Sequence, residues 1–191
     1  MGPQLQDGDG DPVSTMTLEA FADTIVPGEK RWPGDVAVAG ASQGGGAVAS
    51  GALELLATEA GGMAPLLPDI VRALNEHARA YIAEHGLPAD AGLPPFVALP
   101  FEHRVALVQR LVRPGHEEKE MWAGMAIFCN MAFDTGAHMH TTEALAAGHP
   151  GLLATGFFPP EADGVWRFPA YSYRRPLADL HPGTTSTGSP A

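Results

Sequence analysis

Apolar positions recur with helical spacing through most of the chain, and turn-forming residues cut that pattern into segments. Leu18, Phe21, Ala22 and Ile25 fall at i, i+3, i+4 and i+7, which predicts a short amphipathic helix ended by a turn at Pro27-Gly28. Residues 34–46 are small and glycine-rich. Helical spacing resumes within 47–60 through Val48, Ala52, Leu55 and Leu56, until Gly61-Gly62 stops it. A clearer stripe of Leu67, Ile70, Leu74, His77, Ala78 and Tyr81 predicts a helix ending at Gly86, with Arg72 and Glu76 spaced so that they can pair at i, i+4 on its other side. After a proline-rich connector, Phe101, Val105, Val108 and Val112 mark another amphipathic helix, closed by Pro114-Gly115.

The segment 118–136 has a different pattern. Met121, Trp122, Met125, Ile127, Phe128, Cys129, Met131 and Phe133 cover every side of a helical wheel, so this helix is expected to be enclosed by protein on all faces. The architecture that follows is all-α: a single domain of about five helices around a buried central helix, 118–136. Residues 1–15 and 182–191 offer little to bury and are expected to be disordered. Between them, 16–181 is the folded domain, and its last part, 150–181, reads as an extended arm entered through a weak helix, TTEALAAG. The arm carries too many aromatic residues for a solvated tail and must lie on its own helices or on another chain. Trp166, Phe168, Tyr171 and Tyr173 are accordingly the candidate partner-binding residues. Alternating strands and internal repeats are not visible.

Composition narrows the function classes. A hydrophobic fraction of 45% in 191 residues is enough for one cored domain. The net charge of -11, with no cluster of Lys and Arg, argues against nucleic acid or an anionic membrane as partner. No apolar run is long enough to span a bilayer. The single cysteine, Cys129, excludes an internal disulfide and any CxxC motif, and reads as a buried structural thiol. With neither a signal peptide nor a twin arginine visible near Met1, a cytoplasmic location is expected.

Four local patterns carry candidate chemistry. Gly40-Ala41-Ser42-Gln43-Gly44 matches the G-x-S-x-G nucleophile elbow, with Asp163 or Asp179 and His181 in the chain order of a hydrolase, but the strands that fold requires are missing from the pattern. Gly44, Gly46 and Ala49 fit G-x-G-x-x-A, followed by helical spacing where a second strand should end in an acid. His116-Glu117 opens like H-E-x-x-H and fails at Glu120. His138-Met139-His140 places two imidazoles close together; they are the candidate metal ligands, and His116 and His149 extend them to a group for metal binding or acid–base work. A stand-alone enzyme built on that group is one reading, and a Ser42 hydrolase another.

The run Leu18-x-x-Phe21-Ala22-Asp23-Thr24-Ile25-Val26-Pro27-Gly28, followed by a small-residue loop with Pro33-Gly34 and Ala37 to Gly40, resembles the start of the gluconate 2-dehydrogenase subunit 3 family, most of all its actinobacterial branch. Looser likenesses, in FEHRVALVQRLV, in Phe133 to Gly136 and in the aromatic arm, extend it over roughly residues 17–175. The resemblance implies an all-helical, non-catalytic small subunit that binds and stabilises a flavoprotein large subunit of the glucose-methanol-choline (GMC) oxidoreductase type, acting on an alcohol or sugar. It implies FAD in that partner and no cofactor in this chain.

Overall fold

The computed structural model describes residues 11–157 and Gly183. The chain divides into two compact units, residues 1–158 and 159–191, and every described helix lies in the first. Among the described residues there are eight α-helices and no strand: α1 (Pro12–Ile25), α2 (Ala52–Leu56), α3 (Leu67–His85), α4 (Pro95–Ala98), α5 (Phe101–Leu111), α6 (Lys119–Thr135), α7 (Thr141–Ala146) and α8 (Pro150–Ala154). Two 3₁₀ turns, Glu59–Gly61 and Ala64–Leu66, lead into α3. The all-α expectation holds, with short helices added to the five long or clear ones.

Several boundaries differ from the expectation. Helix α1 reaches back into the segment expected to be disordered because Pro12 sits at its first turn, where a missing N–H costs nothing, and the Asp11 side chain accepts from Val13 and Ser14 N–H. Residues 47–51 form turns, so α2 is only five residues long; Gly51, at φ 82°, precedes its first turn. In the connector before α5, Pro95 starts the short α4. The expected arm opens with a further helix, α8, capped by the His149 side chain, which accepts from Leu152 N–H. From residue 158 onward the arm, including Trp166, Phe168, Tyr171 and Tyr173, and the tail 184–191 lie outside the described residues.

The hydrophobic centre is organised by α1. It touches α2, α3, α4, α5 and α6, and Phe21, with no exposed surface, has Phe96 and Trp122 at 6.4 and 6.1 Å between ring centroids. Thr17, Leu18, Ala20, Phe21, Ala22, Asp23 and Thr24 are all buried. Small side chains let neighbours approach from every side, while the Thr17 and Thr24 hydroxyls donate to the carbonyls of Val13 and Ala20 one turn back. By contrast α6 buries a single stripe, Trp122, Met125, Cys129 and Ala132. Ile127 is 57% exposed and Met131 36%. The expectation that 118–136 is enclosed on all faces is therefore corrected: α2 and α8 pack on α6, and one apolar face points outward.

Buried polar groups tie the helices together. Asn75 on α3 donates to Thr17 on α1 and to Val71 O, and accepts from Phe96 N–H on α4, a brace across three helices. After α1, the Asp23 carboxylate accepts from Gly28 and Ala39 N–H at 3.0 and 2.8 Å, folding the small-residue loop back over the helix end. Burial pushes the Asp23 carboxyl up, and the two N–H donors with the Arg104 charge only partly offset it. Arg104 on α5, 4% exposed, reaches under the same loop to the carbonyls of Leu99, Ala37, Val36 and Val97. Asp35 accepts from Arg31 and from Ala37 and Val38 N–H. Glycine is required where this loop crosses itself: a Cβ on Gly28 would stand 2.5 Å from Gly46 N, beside the bonds Glu29 N–H to Gly44 O and Ala47 N–H to Val26 O. The motif that carries the family resemblance is thus a backbone clamp.

Candidate functional site

A cluster absent from the sequence expectations lies where α3 meets the start of α6. His77 belongs to the inward stripe of α3 and is half-buried. The turn at Pro114-Gly115 brings the chain back so that His116 and Glu118 face it, Gly115 taking φ 89°. His77 Nε2 and Glu118 Oε2 are 2.6 Å apart. Trp122, one turn further along α6 and fully buried, donates its indole N–H to the same carboxylate oxygen at 3.0 Å and lies edge-on to the His77 ring. His116 accepts from Glu118 N–H at 3.2 Å, and its ring centre is 5.7 Å from that of His77. One ligand atom from each of His77, His116 and Glu118 lies within 4.8 Å of the other two. The hydrogen bond from His77 holds the Glu118 carboxyl below its ordinary range, aided by Trp122 and opposed by burial.

Both histidines line a cleft of about 260 Å³, closed on its other sides by Ala80, Tyr81, Glu84, Leu107, Arg110 and Leu111. Glu84 and Arg110 form an ion pair at 2.6 Å on its wall. Deeper along α3, the Tyr81 hydroxyl meets His103 Nδ1 at 3.1 Å, and His85 stacks on the Tyr81 ring at 3.9 Å. Four of the eight histidines, His77, His85, His103 and His116, thereby collect around Tyr81 and the cleft.

The sequence candidates are divided by the fold. His116 joins His77 rather than the later histidines. His138 and His149 are neighbours, 5.9 Å between ring centres. Both ring nitrogens of His149 are engaged, Nε2 donating to Ser50 O and Nδ1 accepting from Leu152 N–H. His138 packs over Gly51, where only a glycine leaves room for its ring, and its Nδ1 is buried without a hydrogen-bond partner. Burial pushes its pKa down, against the pull of Glu54 and helped by His149. His140 is exposed and uses Nδ1 to meet the Thr142 hydroxyl and N–H at the start of α7. Ser42 is exposed in a bend, its hydroxyl reaching only Gln43 O at 3.4 Å, and with no strand among the described residues the nucleophile elbow has no scaffold there. Cys129 is fully buried and its thiol is pushed up to about 12 by burial, so it is unreactive in the folded chain.

Two signals in the sequence point to the cluster. His77 interrupts an apolar stripe, so its ring is carried inward; and Glu118 stands four residues before Trp122, on the same helical face. No local spacing relates His77 to His116. No helix among the described residues is long and apolar enough to cross a membrane. The chain belongs to a family of unknown function, DUF5987, whose pattern matches residues 12–191. No curated protein and no solved structure matches it.

Proposed function

We propose that this member of DUF5987 is a non-catalytic accessory subunit that binds and stabilises an FAD-dependent GMC-type oxidoreductase acting on an alcohol or sugar. The observation that carries the reading is the outward apolar face of α6. Ile127 and Met131 are one turn apart on a helix whose opposite stripe is core, and a monomer gains nothing by presenting them to water. The resemblance supplies the kind of partner, and its sharpest residues, Asp23, Pro27 and Gly28, build a scaffold and not a reaction centre. In this reading FAD belongs to the large subunit, and Trp166, Phe168, Tyr171 and Tyr173 add aromatic anchors to the interface.

The test is an affinity pull-down of the tagged chain from its native host, with proteins identified by mass and the visible spectrum recorded. A near-stoichiometric GMC-type flavoprotein with a flavin spectrum is the expected result, and it should be lost with Ile127→Glu while helicity is retained. A colourless, solitary chain overturns the reading. Trp166→Ala and Tyr171→Ala decide whether the arm takes part: a weakened complex with unchanged helicity assigns it to the interface.

A further inference from the structure

We propose that His77, His116 and Glu118 form a binding site for one divalent first-row transition-metal ion of the zinc class, with a remaining coordination position open to the cleft beside α3 and α5. Two imidazoles and one carboxylate are a three-ligand set that zinc accepts while keeping a fourth position for water or another molecule. Among the described residues this is the only group of three His, Cys, Asp or Glu side chains whose ligand atoms gather in this way.

The distances suit capture of an ion with small movements. Two ligands bound to one tetrahedral zinc stand about 3.3 Å apart, from bonds of about 2.0–2.2 Å. His77 and Glu118, now at 2.6 Å, have to open by less than an ångström. The His116 ligand atom already lies within 4.8 Å of both. Whichever ring nitrogen of His116 takes the ion, it gives up at most the 3.2 Å contact with Glu118 N–H. The Trp122 indole already orients the carboxylate from the core side, the part an outer hydrogen-bond partner plays in built metal sites. His77 is fixed on a 19-residue helix, and Glu118 immediately precedes a 17-residue one and is bonded to Trp122 within it.

The site is independent of any partner chain and is tested on the isolated protein. Tag-free protein is stripped with a chelator and titrated with Zn²⁺ by calorimetry; Co²⁺ is used as a visible probe. One ion per chain is expected, with His116→Ala and Glu118→Gln each weakening Zn²⁺ binding at least tenfold, and His138→Ala with His140→Ala leaving it unchanged. Absence of Zn²⁺ binding in the micromolar range overturns the proposal. Unchanged affinity in His116→Ala and Glu118→Gln does the same, as does loss of binding in the His138/His140 variant. If His116→Ala loses helicity, the Co²⁺ spectrum of the unaltered chain decides: the strong visible bands of four-coordinate cobalt support the site, and the weak bands of the hydrated ion overturn it.

Discussion

The clamp below α1 and the cluster between α3 and α6 use similar side chains to opposite ends. In the clamp, Asp23 and Asp35 are 1% exposed and Arg104 4%. Both oxygens of each aspartate and all three nitrogens of Arg104 are bonded, almost entirely to backbone. In the cluster, His77, His116 and Glu118 are half-buried and hold one another, and the two histidines border a cleft. Groups whose polar atoms are all bonded within the scaffold have nothing left to offer a ligand. Groups that bond mainly to each other beside an opening can exchange those bonds for an ion.

Substitutions break this contrast in a graded way. Arg104→Met should have the largest effect. It strands the carbonyls of Leu99, Ala37, Val97 and Val36, the first three buried, and leaves Asp23 without its nearby cation, a loss of about 3–5 kcal/mol in denaturant unfolding. A loss below about 1 kcal/mol would show that the clamp is no scaffold.

Asp35→Asn should cost less, about 1–3 kcal/mol at neutral pH, as charge-assisted bonds from Arg31 are weakened. Its sign against pH is diagnostic. Burial pushes the Asp35 carboxyl up, but the bonds from Arg31 and Val38 N–H together outweigh it and hold it below the ordinary value of 3.8. A carboxylate depressed in the folded state contributes in full above its unfolded pKa and is lost as pH falls through the folded one. The variant should therefore lose part of the fall in stability that the unaltered chain shows below about pH 4. An unchanged acid limb would remove Asp35 from the account.

His116→Ala should change stability by less than about 1 kcal/mol, because its one bond is half-exposed, while Zn²⁺ affinity falls at least tenfold. A collapse of the fold instead would move the cluster into the scaffold class. Smallest of all, Ile127→Glu should leave stability within about 0.5 kcal/mol of the starting value, since the side chain is already 57% exposed. Its effect should be confined to recovery of the proposed partner in the pull-down.

How far the fold was legible depended on which helix is compared. The stripe on α3 read correctly because long apolar side chains alternate with charged ones, so periodicity reports burial directly: Ile70, Leu74 and Tyr81 are buried as their spacing predicts. On α5 only Val108 of the expected stripe is buried, together with Arg104, Leu107 and Leu111, so the buried face is turned from the one expected. Helices α1 and α6 depart from their patterns in opposite directions. On α6 the abundance of large apolar residues suggested full enclosure, yet Ile127 and Met131 face out. On α1 Leu18, Phe21 and Ala22 are buried as their spacing predicts, and so are Thr17, Asp23 and Thr24 outside that stripe, since each finds its hydrogen bonds locally or in the loop. A hydropathy pattern scores side chains in water and takes no account of bonds made after folding. The cluster was half legible for a related reason. His116 and Glu118 share a turn, but His77 lies 41 residues from Glu118, and only tertiary packing joins them.

Cys129 can serve as a clock for the interior. It is the sole thiol in 191 residues, has no exposed surface, and holds its proton far above neutral pH while folded. A thiol-reactive dye added to the native protein can label it only when the core around α6 opens. With dye in excess and cleft or surface variants compared side by side, the labelling rate becomes a running count of those openings. A bound metal ion between α3 and α6 should then slow the count without changing the chain's sequence at all.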